Sequence, residues 1–111
     1  MAGAIKKLVG PVALTTTYTT NVFNDGSALL YSVVRHIHVA NKAAADTWRL
    51  YLGATGANAA GTELFFDHAI GAKAVFDYYT AMKLLSTDFL VGGAATTLTL
   101  VITIMGEQYV V

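Results

Sequence analysis

Between Val33 and Asn41 the side chains alternate, with Val33, Arg35, Ile37 and Val39 on one face and Val34, His36 and His38 on the other. Successive side chains of an extended chain point to opposite faces, and β-branched residues favour that conformation. The segment therefore predicts a strand with one face in a core. Asn41 to Asp46 reads as a turn, and Trp48, Leu50 and Leu52 then alternate with Thr47, Arg49 and Tyr51 in a second strand. The two strands are expected to form an antiparallel hairpin. Gly53 to Gly61 is a loop of small residues whose glycines argue against helix. Strands follow at Thr62–Phe66 and Ala74–Tyr79. Met82–Leu85 fits a short strand or a helical turn, and Phe89–Val91 is a short strand stopped by Gly92-Gly93. The strongest strand signal is Thr96–Met105: Leu98, Leu100, Ile102 and Ile104 form an aliphatic face, and the opposite face is threonine-rich. Gly106 is expected to end it, with Tyr109 to Val111 extending the pairing.

Seven or eight short strands with turn signals every 8 to 12 residues, and no amphipathic helical period, predict an all-β fold. The expected architecture is a single β-sandwich, jelly-roll-like, over residues 21–111. Residues 1–20 differ: they hold the single proline, Pro11, and the run Thr15 to Thr20. They read as an extended N-terminal arm. Within it Lys6 and Lys7, flanked by Ile5, Leu8 and Val9, form a mixed basic and apolar patch suited to strand addition on another subunit.

Composition sharpens this picture. Charged residues make up 13% of the 111 residues and apolar ones 55%, against about 25% charged in an average soluble domain. So few charges leave two readings: a monomer covered with small Ala and Thr, or a subunit whose surface is covered by its neighbours. Formal net charge is zero, with no basic stripe of the kind that follows a phosphate backbone, so nucleic acid is not an expected partner. Lys6-Lys7 before Leu8–Leu14 faintly suggests a signal peptide, but Gly10 and Pro11 break the apolar run. No run of about 18 apolar residues suits a membrane span. The absence of cysteine rules out disulfides and thiol chemistry, and fits folding in a reducing cytosol.

Few residue patterns point to chemistry. His36 and His38 share a strand face, and with His68 they could form a three-histidine metal site; otherwise the pair lines a polar face and His68 sits in a loop. Asp67-His68 and Asp77 could serve a hydrolytic triad with a Ser or Thr, but Ser27, Ser32 and Ser86 lack the strained elbow context of a nucleophile and read as turn or strand residues. The glycine-rich segments lack the Lys-Ser/Thr and helix of a phosphate cradle and read as turns. Phe65-Phe66 and Tyr78-Tyr79 are adjacent aromatics on strands, so alternation turns one of each pair outward. Exposed rings suit an oligomer interface, or a carbohydrate platform. No catalytic residue, cofactor or resident metal is expected.

The segments Val34-Arg35-His36-Ile37-His38-Val39-Ala40-Asn41, Trp48-Arg49-Leu50-Tyr51-Leu52-Gly53-Ala54, Gly61-Thr62-Glu63-Leu64-Phe65 and Leu84-Leu85-Ser86-Thr87-Asp88, followed by the strand to Gly106, resemble the small β-sandwich virion proteins of tailed bacteriophages. That group includes the head decoration (cement) proteins and related tail or neck proteins. The likeness covers about two-thirds of the chain, from Val33 to Gly106, and is one of strands and turns. It implies a copy-rich structural subunit, a homo-oligomer with a trimer favoured, that binds the major capsid protein or other virion subunits. It implies residence on the outer capsid surface after assembly in the host cytoplasm, and it brings no active-site motif. The contact residues expected from the sequence are Ile5, Lys6, Lys7, Leu8, Val9, Phe65, Phe66, Tyr78 and Tyr79. A tail, neck or baseplate subunit, a carbohydrate-binding module and a metal-dependent enzyme using His36, His38 and His68 are the alternatives.

Overall fold

The structure, a computed structural model, describes residues 4–56, 58 and 60–110. Its strands are β1 (Ala4–Ala13), β2 (Asn21–Phe23), β3 (Leu30–Asn41), β4 (Asp46–Gly53), β5 (Glu63–Ile70), β6 (Val75–Leu84), β7 (Phe89–Ala94) and β8 (Leu100–Val110). They form two four-stranded antiparallel sheets packed face to face, ordered β1-β8-β3-β6 and β2-β7-β4-β5. The pairs β1·β8, β2·β7, β3·β6 and β4·β5 are those of one long hairpin folded over on itself, with β4–β5 at its tip.

The core lies between the sheets. Val34, Ile37 and Val39 of β3, Trp48 and Leu50 of β4, Leu84 of β6, Leu90 of β7, and Leu100, Ile102 and Ile104 of β8 are all fully or almost fully buried there. Period-two alternation places these side chains inward, as the pattern in β4 and β8 predicts. In β3 the alternation is interrupted. The register shifts between Val34 and His36 against both β6 and β8, so that Arg35 is an extra residue relative to β8. Val34 therefore points inward with Ile37 and Val39, whereas the unbroken pattern groups it with His36 and His38. A bulge reverses the side-chain parity on its two sides and bends the strand.

Four further expectations are corrected. β3 and β4 are not a hairpin: residues 42–45 cross from one sheet to the other, and the local hairpin is β4–β5. Asn41 and Asp46 fix this crossover. The Asn41 side-chain amide donates to the carbonyls of Ala44 and Gly71 at 2.8 and 3.0 Å, and Asp46 accepts from Thr47 N, Thr96 N and Thr99 Oγ1. Leu98 lies outside β8, in a turn with φ of 61°, and is half exposed rather than on the core face. Gly92, Gly93 and Gly106 are interior strand residues rather than stops. A Cβ on Gly106 would lie 2.0 Å from Val33 O, and one on Gly92 would lie 2.1 Å from Arg49 O, so glycine permits close backbone approach at both.

The stretch read as an arm is extended, but it is part of the same two-sheet unit. β1 pairs along β8 from Ala4↔Gln108 to Ala13↔Val101. Leu14 is buried, donates its N–H to Leu100 O and accepts from Leu98 N. The threonine run folds onto β7, with Thr15 O and Thr20 O accepting from Ala94 N and Gly92 N.

Candidate functional site

Strand order leaves β6 at the edge of one sheet and β5 at the edge of the other. These two edges lie on the same side of the sandwich, because their inward rings meet across the gap. Phe65 of β5 lies 5.6 Å from Phe76 and 5.2 Å from Tyr78, both of β6, and His68 lies 4.4 Å from Phe76. Trp48 closes the floor, 4.7 Å from Phe65. The edges also carry large apolar side chains in the open: Leu64 and Phe66 on β5 and Val75 and Tyr79 on β6, with Tyr78 of the wall itself partly exposed. Tyr79 is the most exposed, at 72%.

A polar cluster sits beside this edge, on the outer face of the β3–β6 pair. Register places His38 opposite Asp77 and His36 opposite Tyr79. Asp77 Oδ1 lies 2.7 Å from His36 Nε2 and 2.6 Å from His38 Nδ1. An ionised carboxylate can only accept, so each facing ring nitrogen carries its proton and donates it. These N–H groups, His38 first and His36 next, hold the Asp77 carboxyl below the usual carboxylate range. The His36 ring stacks on Tyr79 with centroids 4.4 Å apart and planes 8° from parallel.

On the outer face of the other sheet, the Arg49 guanidinium lies between the rings of Tyr18 and Phe66, at 4.3 and 4.1 Å from their centroids. It also donates to both carboxylate oxygens of Asp67, at 2.6 and 3.3 Å. That bidentate pair holds Asp67 below its ordinary range and raises Arg49 further. A planar cation held this way is a fixed feature of the surface rather than a mobile side chain.

The residues expected from sequence separate accordingly. Phe66, Tyr78 and Tyr79 are exposed at the β5–β6 edge, while Phe65 turns inward. Lys6 and Lys7 are exposed on β1 at the opposite side of the sandwich, where Lys6 donates to Gln108 Oε1. Leu8 and Val9 pack against the core, and the side chain of Ile5 lies outside the described part. His68 is separated from the other two histidines: it sits among Trp48, Phe65 and Phe76, so the three do not form one site. Asp67 is taken by Arg49, and Asp77 by two histidines. Ser32 pairs with Asp25, and among the described residues no hydrogen bond joins a serine to a histidine. Among the described residues, Asp67, His68 and Asp77 are therefore not brought together with a serine. Sequence reading missed Asp77 as the partner of His36 and His38, because it lies 41 and 39 residues from them along the chain and only the β3–β6 pairing brings them together. It also missed the Tyr18–Arg49–Phe66 stack.

No protein-family model matches the chain, and no curated protein matches it significantly. Among the described residues, no helix is long and apolar enough to cross a membrane.

Proposed function

We propose that this protein is a structural virion subunit, a capsid decoration protein that assembles as a homo-oligomer and stabilises the shell from its outer surface. The observation that carries the assembly part is the β6 edge of the sandwich, where exposed apolar side chains cluster from Val75 to Ala81, although β5 beside it is bulged and carries Glu63 and Asp67. A strand edge offers a row of unpaired N–H and C=O groups, and proteins protect such edges with lysine, proline, bulges or short length. The opposite side has these protections. β1 carries Lys6, Lys7 and Pro11 and two register shifts, and β2 is three residues long. From Val75 to Ala81 the β6 edge carries a single charge, Asp77, which is already engaged by His36 and His38. An exposed apolar edge of this length fits one that another subunit covers.

The virion assignment rests on the strand-and-turn likeness between Val33 and Gly106. We further read the sandwich as a jelly roll. Its support is that the order β1-β8-β3-β6 facing β2-β7-β4-β5 is obtained by rolling up one eight-stranded hairpin, an architecture used by capsid and lectin domains alike. The contact set this reading favours is Leu64, Phe66, Val75, Tyr78 and Tyr79, with Lys6 and Lys7 remote from it.

The test is the mass of the purified chain by light scattering over a wide concentration range, followed by binding to capsid shells assembled from the major capsid protein. A trimer is expected for the native chain, and Phe66→Ser with Tyr79→Ser should yield a folded monomer that no longer binds shells. A native chain that stays monomeric and ignores the shells would overturn the reading. A tail, neck or baseplate role predicts the same oligomer, with a tagged copy found away from the head. A carbohydrate-binding module predicts saturable glycan binding lost on Tyr79→Ala.

A further inference from the structure

His36, His38 and Asp77 bring three metal-ligating atoms within 4.8 Å of one another. The two nitrogens converge on a single carboxylate oxygen, at 2.7 and 2.6 Å. We propose that this cluster is a binding site for one divalent transition-metal ion of the zinc class, with His36 Nε2, His38 Nδ1 and an Asp77 oxygen as ligands.

The donor set selects the ion. Two imidazoles and one carboxylate suit zinc, cobalt, nickel or copper, and suit calcium or magnesium poorly because these prefer all-oxygen shells. The scaffold supplies two of the ligands from one strand face, two residues apart on β3, and the third from the directly paired residue of β6. The adjustment required is one of side-chain rotation. With metal–ligand bonds of about 2.0–2.1 Å, tetrahedral ligand atoms stand about 3.3 Å apart. The Asp77 oxygen must therefore retreat by roughly 0.6 Å from each nitrogen, and the two imidazole nitrogens, within 4.8 Å of each other, must close by up to about 1.5 Å, through side-chain rotations on the outer face of β3 and on the edge strand. Each histidine then moves its ring proton to its other nitrogen, so the ion replaces two shared protons as the bridge. The His36 ring is already oriented by its stack on Tyr79. Side-chain exposures of 19% for His36 and 34% for both His38 and Asp77 leave one side of the cluster open to solvent, so the fourth position takes water in the isolated subunit. The ion would tie the edge strand β6 to β3.

Titration calorimetry of the chelator-stripped, tag-free chain with zinc chloride tests this. The expected result is one ion per chain and a rise in thermal midpoint with zinc, since an ion bound only by the folded state stabilises it. Cobalt in place of zinc should give intense visible bands marking four-coordination. Asp77→Asn, a near-isosteric change on an exposed strand, should weaken uptake by about tenfold or more, and His36→Ala with His38→Ala should abolish it. Substoichiometric uptake by the native chain overturns the proposal. So does uptake that persists unchanged in either variant, which would put the ion elsewhere.

Discussion

A methyl group at position 106 would stand 2.0 Å from Val33 O and 3.2 Å from Leu8 Cδ1. The obstacle is backbone, which cannot rotate away, so Gly106→Ala should cost about 2–3 kcal/mol in denaturant unfolding. Gly26 is the useful contrast. Its φ is +77°, but nothing lies within 4 Å of its absent Cβ, so Gly26→Ala should lose only the left-handed preference, about 1 kcal/mol. A cost at position 106 no greater than at position 26 would contradict the close approach. The glycines of the strands read as stops because a glycine in sequence carries no sign of whether it turns the chain or admits a distant backbone. The second residue-scale prediction concerns acid. Asp77, held by His38 and His36, and Asp67, held by Arg49, both have folded values depressed below the ordinary one. Their contribution is therefore complete above the unfolded value of about 4 and is lost as pH falls from there through the lower folded values. Urea midpoints should drop below about pH 4, and Asp77→Asn or Asp67→Asn should flatten that limb. An acid limb of unchanged steepness in both variants would remove these pairs from it.

Elements were legible where a single face is buried and no bulge intervenes. Leu100, Ile102 and Ile104 in β8 and Trp48 and Leu50 in β4 are buried as their alternation predicts. What the sequence did not disclose is partnership. A four-residue connection between β3 and β4 has the length of a hairpin loop, and only the structure reveals it as a crossover clamped by Asn41 and Asp46. The clamp is testable. Asp46 is 8% exposed, and Asp46→Ala would remove the carboxylate that accepts from Thr47 N, Thr96 N and Thr99 Oγ1, leaving Thr99 Oγ1 only its bond to Thr96 O, at a cost of about 2–3 kcal/mol. β1 was similarly opaque. Its pairing with β8 joins the two ends of the chain, and Pro11 with the threonine run suggested a loose arm. The pairing and the seating of Leu8 and Val9 against the core give truncation a definite outcome: removing residues 2–10 should lower the thermal midpoint by about 10 °C or more. An unchanged midpoint would mean that β1 contributes nothing to the sandwich and acts as an arm after all. The histidine site was half legible for the same reason. The i, i+2 spacing put His36 and His38 on one face, whereas Asp77 entered through a long-range register.

At the scale of the whole molecule, the chain has two sides whose strand edges differ in charge and apolar exposure. The β1–β2 side is lysine-bearing, proline-bearing and short at β2, whereas the β5–β6 side presents Leu64, Phe66, Val75, Tyr78 and Tyr79 around a wall of tilted and edge-to-face rings. A chain with 13% charged residues has few charges to distribute, and their sparsity along β6 leaves that edge attractive to another copy. If the edge is where copies meet, folding and association are linked, and the thermal midpoint rises with protein concentration by mass action. A matched pair of lysines separates the two sides. Val75 on β6 and Val12 on β1 are both exposed valines, at 60% and 45%, so either substitution removes little core packing. Val75→Lys would place a solvated charge in the apolar edge, and its midpoint should become independent of concentration while its far-ultraviolet dichroism stays native. Val12→Lys, on the edge that is already guarded, should keep the concentration dependence of the native chain. The reverse pattern would make β1 the contact strand and leave the aromatic wall to serve only the fold.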